Sequence, residues 1–125
     1  MRTFAVLIVF LCSCAPPPSY DKQDCPIYSE LGSVRANPAG ALGHRLEAQF
    51  AFKVCPPETG IEEIRRKRIE LKQALLKRMS AMTTDELEHP QRIEELQREI
   101  HYLVNKEILK KAKVEEVYVT GFEVK

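Results

Sequence analysis

The sequence predicts an α+β domain: a small, mainly antiparallel sheet with two long amphipathic helices packed on it. Three observations lead there. Residues 46–54 show a period-2 pattern with one apolar face. Two later stretches, 61–82 and 93–108, carry apolar residues at helical spacing. The last eleven residues before Lys125 are rich in β-branched and aromatic side chains. Alternation is the mark of a half-buried strand, and steps of three, four and seven mark one face of a helix.

The elements follow in chain order. The N-terminus has one basic residue, Arg2, then an apolar run from Phe4 to Leu11, then Leu11-Cys12-Ser13-Cys14. A charged start, a short apolar core and a small residue before the cut describe an export signal. Leu11 three positions before Cys14 and Ser13 directly before it make a lipoprotein box, with cleavage between Ser13 and Cys14 and the lipid on Cys14. Cys12 fails as the lipid site, because the bulky Leu11 precedes it. A membrane-spanning helix needs roughly 20 apolar residues, about twice this run, and Ala15-Pro16-Pro17-Pro18 stops any helix. An exported chain in which Cys14 is incidental is the other reading.

Ala15 to about Tyr28 holds four prolines and no periodicity, and reads as a tether. Proline-rich chain extends about 3.1 Å per residue, so the tether reaches roughly 40 Å. Cys25 and Cys55 remain in the exported chain, where disulfides persist. Joined, they close a loop worth roughly 3–4 kcal/mol in the chain-entropy treatment. A disulfide is favoured over two free thiols. No neighbouring Cys or His pair completes a tetrahedral metal site around them.

Ser33 to Asn37 is a short strand leading into the turn Asn37-Pro38-Ala39-Gly40. Leu46 to Val54 is the clearest strand: Leu46, Ala48, Phe50, Phe52 and Val54 alternate with Glu47, Gln49, Ala51 and Lys53. Cys55-Pro56-Pro57 ends it. A helix is expected to open at Thr59, with Thr59 and Glu62 forming a capping box. Ile61, Ile64, Leu71, Leu75, Met79 and Met82 line its apolar face, and Glu62–Arg66 and Glu63–Lys67 are i,i+4 pairs expected on its solvent side. The run Arg65-Arg66-Lys67-Arg68 reads as a solvated, partly paired face rather than a lipid contact.

Thr83-Thr84-Asp85-Glu86 repeats the capping-box pattern and starts a single turn. His89-Pro90 is expected to restart the chain as the second long helix, with proline at its first position. Its stripe is Ile93, Leu96, Ile100, Leu103, Val104 and Ile108; Lys110, Lys111 and Lys113 suit its C-terminal dipole. Val114 to Val124 closes the chain as a strand that reads apolar on much of both faces, hence as a central one.

Composition excludes several functions. Of 19 lysines and arginines only Arg2 lies in the signal, so the mature chain balances 18 basic against 18 acidic residues. A neutral exported domain has no electrostatic footprint for nucleic acid. His44, His89 and His101 are not at ligand spacing and belong to no nucleophile arrangement. Gly40 and Gly43 flank a turn and do not cradle a phosphate at a helix start. No catalytic motif, cofactor motif or small-molecule site stands out.

The order of elements from about Leu31 to Lys125 resembles the periplasmic domain of the FliL family, the flagellar basal body-associated proteins. Val34 to Val54, with its strand, Pro/Gly turn and alternating strand, is similar to the family's first region. Leu75 to Leu109 is similar to its central part: a helix, a Thr-x-x-Glu-Leu turn (Thr83 to Leu87) and a second helix with an asparagine near its end, here Asn105. Lys113 to Lys125, with Tyr118 and Phe122, resembles the closing strand. The resemblance implies a stomatin-like periplasmic domain, homo-oligomerisation (often as rings), association with the flagellar stator or basal body, and no catalysis. The chain is thus expected to divide into residues 1–13 as lipoprotein signal peptide, 14–30 as proline-rich tether and 31–125 as the FliL-like domain. The family's usual members cross the inner membrane once near the N-terminus; here a lipoprotein signal stands in that place. The expected location is therefore the cell envelope, lipid-anchored and facing the periplasm. Ala15 after the lipidated cysteine leans slightly towards the outer membrane, and the sequence does not choose between the two. Two roles remain: an accessory of the flagellar motor, or an envelope scaffold or adaptor with no part in motility.

Overall fold

The computed structural model of the chain describes residue 21 and residues 24–125. Ser13, Cys14 and most of the expected tether lie outside these residues. The described part is α+β, with a four-stranded antiparallel sheet and its helices on one face. The first strands are β1 (Ile27–Tyr28), β2 (Ser33–Ala36) and β3 (Leu46–Cys55). Helices α1 (Pro57–Arg66), α2 (Arg68–Ser80), α3 (Thr84–Glu88) and α4 (Arg92–Leu103) follow. The last runs into a π-helical turn, Val104–Ile108, before β4 (Lys113–Val124) closes the chain.

The alternating segment becomes the centre of the sheet. β4 accompanies β3 along its whole length, from Leu46 opposite Val124 to Cys55 opposite Lys113. β1 and β2 therefore share the other edge of β3, opposite Phe52–Lys53 and Leu46–Gln49. Leu46, Ala48, Phe50, Phe52 and Val54 all point into the core and are at most 3% exposed. Against them pack Ile64, Leu71, Leu75 and Met79 from α1 and α2, and Leu96, Ile100 and Val104 from α4 and the π turn.

Four expectations need correction. First, the closing strand is an edge strand: among the described residues β4 pairs only with β3. The register slips once between Gln49 and Phe50 and again between Lys53 and Val54, leaving Thr120 and Glu115 as the extra residues of two bulges. A bulge advances the alternation by one residue. Val114, Val117, Val119, Phe122 and Val124 thus share the core-facing side at steps of three, two, three and two. Strict period-2 counting distributes the same residues over both faces.

Second, the first helix opens at Pro57, with Pro56 as N-cap and no side-chain cap. Thr59 lies inside the first turn and makes no capping box. Proline suits that first position because its missing N–H has no helical partner there. Gly60 then lets the helix cross β3 closely: a Cβ at this position would stand 2.7 Å from Val54 Cγ1. Third, the long helix bends at Lys67 (φ −100°, ψ 15°), although Lys67 N–H still reaches Glu63 O at 3.0 Å. Glu63 is 2% exposed and so is not on the solvent side. Fourth, α4 starts at Arg92, not at Pro90. His89 closes α3, and its Nδ1 accepts the Gln91 N–H at 3.1 Å across the intervening turn.

The Thr83 cap is as expected on its first half: Thr83 Oγ1 accepts the Glu86 N–H at 3.2 Å. Glu86 does not reach back to the backbone of Thr83. Its carboxylate instead receives Arg78 Nη2 at 2.6 Å, while Arg78 Nε donates to Glu99. One guanidinium so joins α2, α3 and α4. In the stretch expected to be tether, Ile27–Tyr28 pair with β3, and Tyr28 is 2% exposed.

Candidate functional site

The sheet has two unlike ends. At the C-terminal end of β3, Cys25 and Cys55 are both buried, with Cα atoms 5.2 Å apart and their sulfurs at bonding distance. The chain enters the domain here, next to β1. At the other end lies the loop between β2 and β3, held to the helices by Gly40. Thr84 N–H reaches Gly40 O at 3.3 Å, and Ala39 N–H reaches Ser80 O at 3.0 Å. A Cβ on Gly40 would lie 2.9 Å from Met82 O, so glycine is required for that approach. Leu42 at the tip of this loop is 90% exposed. The ten residues of β3 separate the two ends by about 30 Å at strand rise.

Two polar clamps fix the helices to the last strand. Glu63 on α1 is the single buried charged residue among those described. Its carboxylate accepts backbone N–H groups of Lys110, Lys111 and Ala112 at 2.9–3.2 Å. Lys67 Nζ lies 3.4 Å from the same carboxylate and donates to Ile108 O at 2.8 Å, capping the π turn. Burial by itself raises the Glu63 carboxyl; the N–H groups of Ala112, Lys111 and Lys110, together with Lys67, outweigh it and hold the group below the usual glutamate range. In the second clamp, the Asn105 side chain treats Val114 as a neighbouring strand would. Nδ2 donates to Val114 O at 2.9 Å, and Oδ1 accepts Val114 N–H at 2.7 Å. Gln97 does part of this one step along, donating to Val117 O at 3.0 Å.

These clamps explain two sequence features. Asn105, conspicuous at the end of the second helix, closes the free edge of β4 where it begins. The expected basic face at Arg65 to Arg68 is largely paired: Arg65 with Glu30 at 2.9 Å, Arg66 with Glu62 at 4.0 Å and Lys67 with Glu63. Sequence reasoning missed the roles of Glu63 and Gln97. Glu63 adjoins Ile64 on the inward side of its helix, the one signal that could have marked it; Gln97 offered none.

Among the described residues no acid, base and nucleophile are brought together. His44 lies on the β2–β3 loop, His89 closes α3, and His101 lies 3.5 Å from Asn105 Nδ2. His89 Nδ1 already accepts the Gln91 N–H, so the 3.7 Å approach of Glu95 is not an ion pair while that bond stands. Among the described residues no group of His, Cys, Asp and Glu could hold a metal ion. No helix among them is long and apolar enough to cross a membrane. The concave features are shallow grooves. One of about 400 Å³ runs beside the end of β4, lined by His44, Leu87, Arg92, Phe122 and Val124, with the Arg92 guanidinium 6.0 Å from the Phe122 ring centre. Another, of about 190 Å³, lies between α2 and α4 against Ala74, Leu75, Ile100 and Leu103.

Compared with known proteins, the chain matches the family model described as flagellar basal body-associated protein FliL over residues 28–124. No curated protein matches it.

Proposed function

This chain belongs to the FliL family of flagellar basal body-associated proteins, and on that premise we propose that it is a lipid-anchored, non-enzymatic accessory of the flagellar motor that works by self-association and by contacts with basal-body or stator proteins. The observation that carries this reading is the family match, which takes in every strand and helix from Tyr28 to Val124. The lipoprotein box at Leu11 to Cys14 supports the anchor. The short span from Cys14 to β1 supports a domain held within some tens of ångströms of its bilayer, so the membrane it occupies decides which motor parts it meets. A lipid signal where the family's usual members have a membrane-crossing helix favours a second reading, an envelope scaffold without a motility role.

A deletion strain tests both. Loss of swimming and of motor torque, restored by the wild-type gene, is the expected result; normal torque in the deletion would leave only the scaffold. Complementation with Cys14→Ala is expected to release the protein from the membrane fraction and to fail to restore torque. Unchanged membrane association would remove the lipid anchor from the proposal.

We propose further that Cys25 and Cys55 form a disulfide in the exported protein, tying the entering chain to the central strand. Thiol titration of the unfolded, unreduced protein is then expected to find neither cysteine, and reduction to lower the melting temperature. Two reactive thiols before reduction would overturn this.

A further inference from the structure

Among the described residues β2 pairs only with β3, and so does β4, so each leaves one edge of the sheet open. An unpaired strand edge accepts little except another extended backbone. On β4 the first half is already occupied by side chains, through Asn105 at Val114 and Gln97 at Val117. The second half has no such cover among the described residues. Lys125 exchanges both backbone bonds with Arg45, at 2.8 and 2.9 Å. By alternation, Phe122 and Val124 turn their backbone N–H and C=O groups away from β3, to the open side.

The two edges are complementary in chemistry. β4 presents core-side Val119, Phe122 and Val124, with Glu116 and Glu123 on the outer face. β2 presents core-side Val34 and Ala36, with Ser33 and Arg35 on the outer face. The Arg35 side chain is 78% exposed and only 3.6 Å from Glu47, loose enough to take a second carboxylate. Both strands run antiparallel to β3 and hence parallel to each other. Joining β4 of one copy to β2 of the next extends the sheet with the helices on one side throughout. Every copy then has its Cys25–Cys55 end on the same side, where a shared membrane would be. The same joint brings Leu42 of the incoming copy to the end at which the groove beside Phe122 opens.

A symmetric β4–β4 pairing fails on orientation: it is antiparallel, so the two anchors point in opposite directions. We propose that the free half of β4 takes β2 of a second copy, in a head-to-tail series that runs along the membrane plane. Such a contact is heterologous and closes to a ring or stays an open chain. It rests on the self-association reading above and specifies the surface.

Charge reversal in the full-length chain, purified in detergent, tests it by light scattering over a concentration series. Arg35→Glu and Glu123→Lys, both at exposed positions, are each expected to weaken assembly by about fivefold to tenfold, as repulsion replaces attraction at an interface rim. The double variant is expected to recover most of the loss, with circular dichroism unchanged throughout. Wild-type assembly that neither single variant disturbs overturns this interface and leaves self-association standing. Losses in both single variants without recovery in the double also overturn it. A wild type that stays monomeric at every concentration removes both readings together.

Discussion

Glu63→Ala is expected to lower the stability of the domain by about 3–5 kcal/mol, the cost of breaking a buried charged network by removing one partner. The substitution leaves the N–H groups of Lys110, Lys111 and Ala112 without an acceptor, and Ala112 is 1% exposed. It also leaves the Lys67 ammonium without its counter-charge. A single-domain protein has roughly 5–15 kcal/mol in all, so this one carboxylate accounts for a large share. Urea unfolding of the two proteins measures it, and a loss under about 1 kcal/mol, the worth of one ordinary hydrogen bond, would refute the clamp. Glu63→Gln keeps the shape and part of the acceptor capacity, and is expected to fall between wild type and alanine.

The same group gives a pH signature. Its folded-state pKa is depressed relative to the unfolded chain, so the folded protein binds fewer protons in the interval between the two values. Stability from Glu63 is present in full above the unfolded value, about 4.3, and is lost as pH falls through the folded one. Wild type is therefore expected to lose stability more steeply than Glu63→Gln as pH falls through the interval between those two values. Equal slopes in acid would show that the carboxylate is not held as described.

Asn105→Leu is expected to cost about 2–3 kcal/mol, because Val114 loses both a donor and an acceptor partner beside a packed core. For a domain of this size that corresponds to a melting temperature lower by roughly 10 °C. Asn105→Asp is not a mild change. It keeps an acceptor for the Val114 N–H at 2.7 Å but turns a second oxygen towards Val114 O, where Nδ2 now donates at 2.9 Å. Amide hydrogen exchange at Val114 separates this local effect from a general loss of packing: faster exchange at Val114 and its neighbours first, with β1 and β2 following only at the global rate. Uniform acceleration across the sheet would show that Asn105 acts as filler and not as a strand substitute.

How far the sequence could be read depended on whether the cause was local. The strand at Leu46 to Cys55 was legible because its core-facing side puts an apolar residue at every second position from Leu46 to Val54. The Thr83 turn was legible because an N-cap bond spans three residues. The start of the first helix was misplaced: Thr59 and Glu62 make a sound local cap pattern, yet two prolines and the contact of Gly60 with Val54 begin the helix earlier. β4 was misjudged for a different reason, since its two bulges are set by pairing with β3 and leave no trace in β4's own composition. The candidate surface followed the same division. Asn105 was visible as a residue but not as the partner of Val114, and Glu63 counted as one more surface carboxylate.

By itself, then, the sequence determined the α+β class, the strand at Leu46 to Val54 and the apolar faces that build the core, and it carried the family resemblance. These depend on periodicity and on short motifs, which a chain displays before it folds. Only the tertiary structure decided which strand is central, which edge of the sheet stays open, where the helices bend, and which carboxylate is buried under three backbone amides. Those outcomes depend on segments about forty to eighty residues apart meeting in space, and no local pattern encodes which of them will meet.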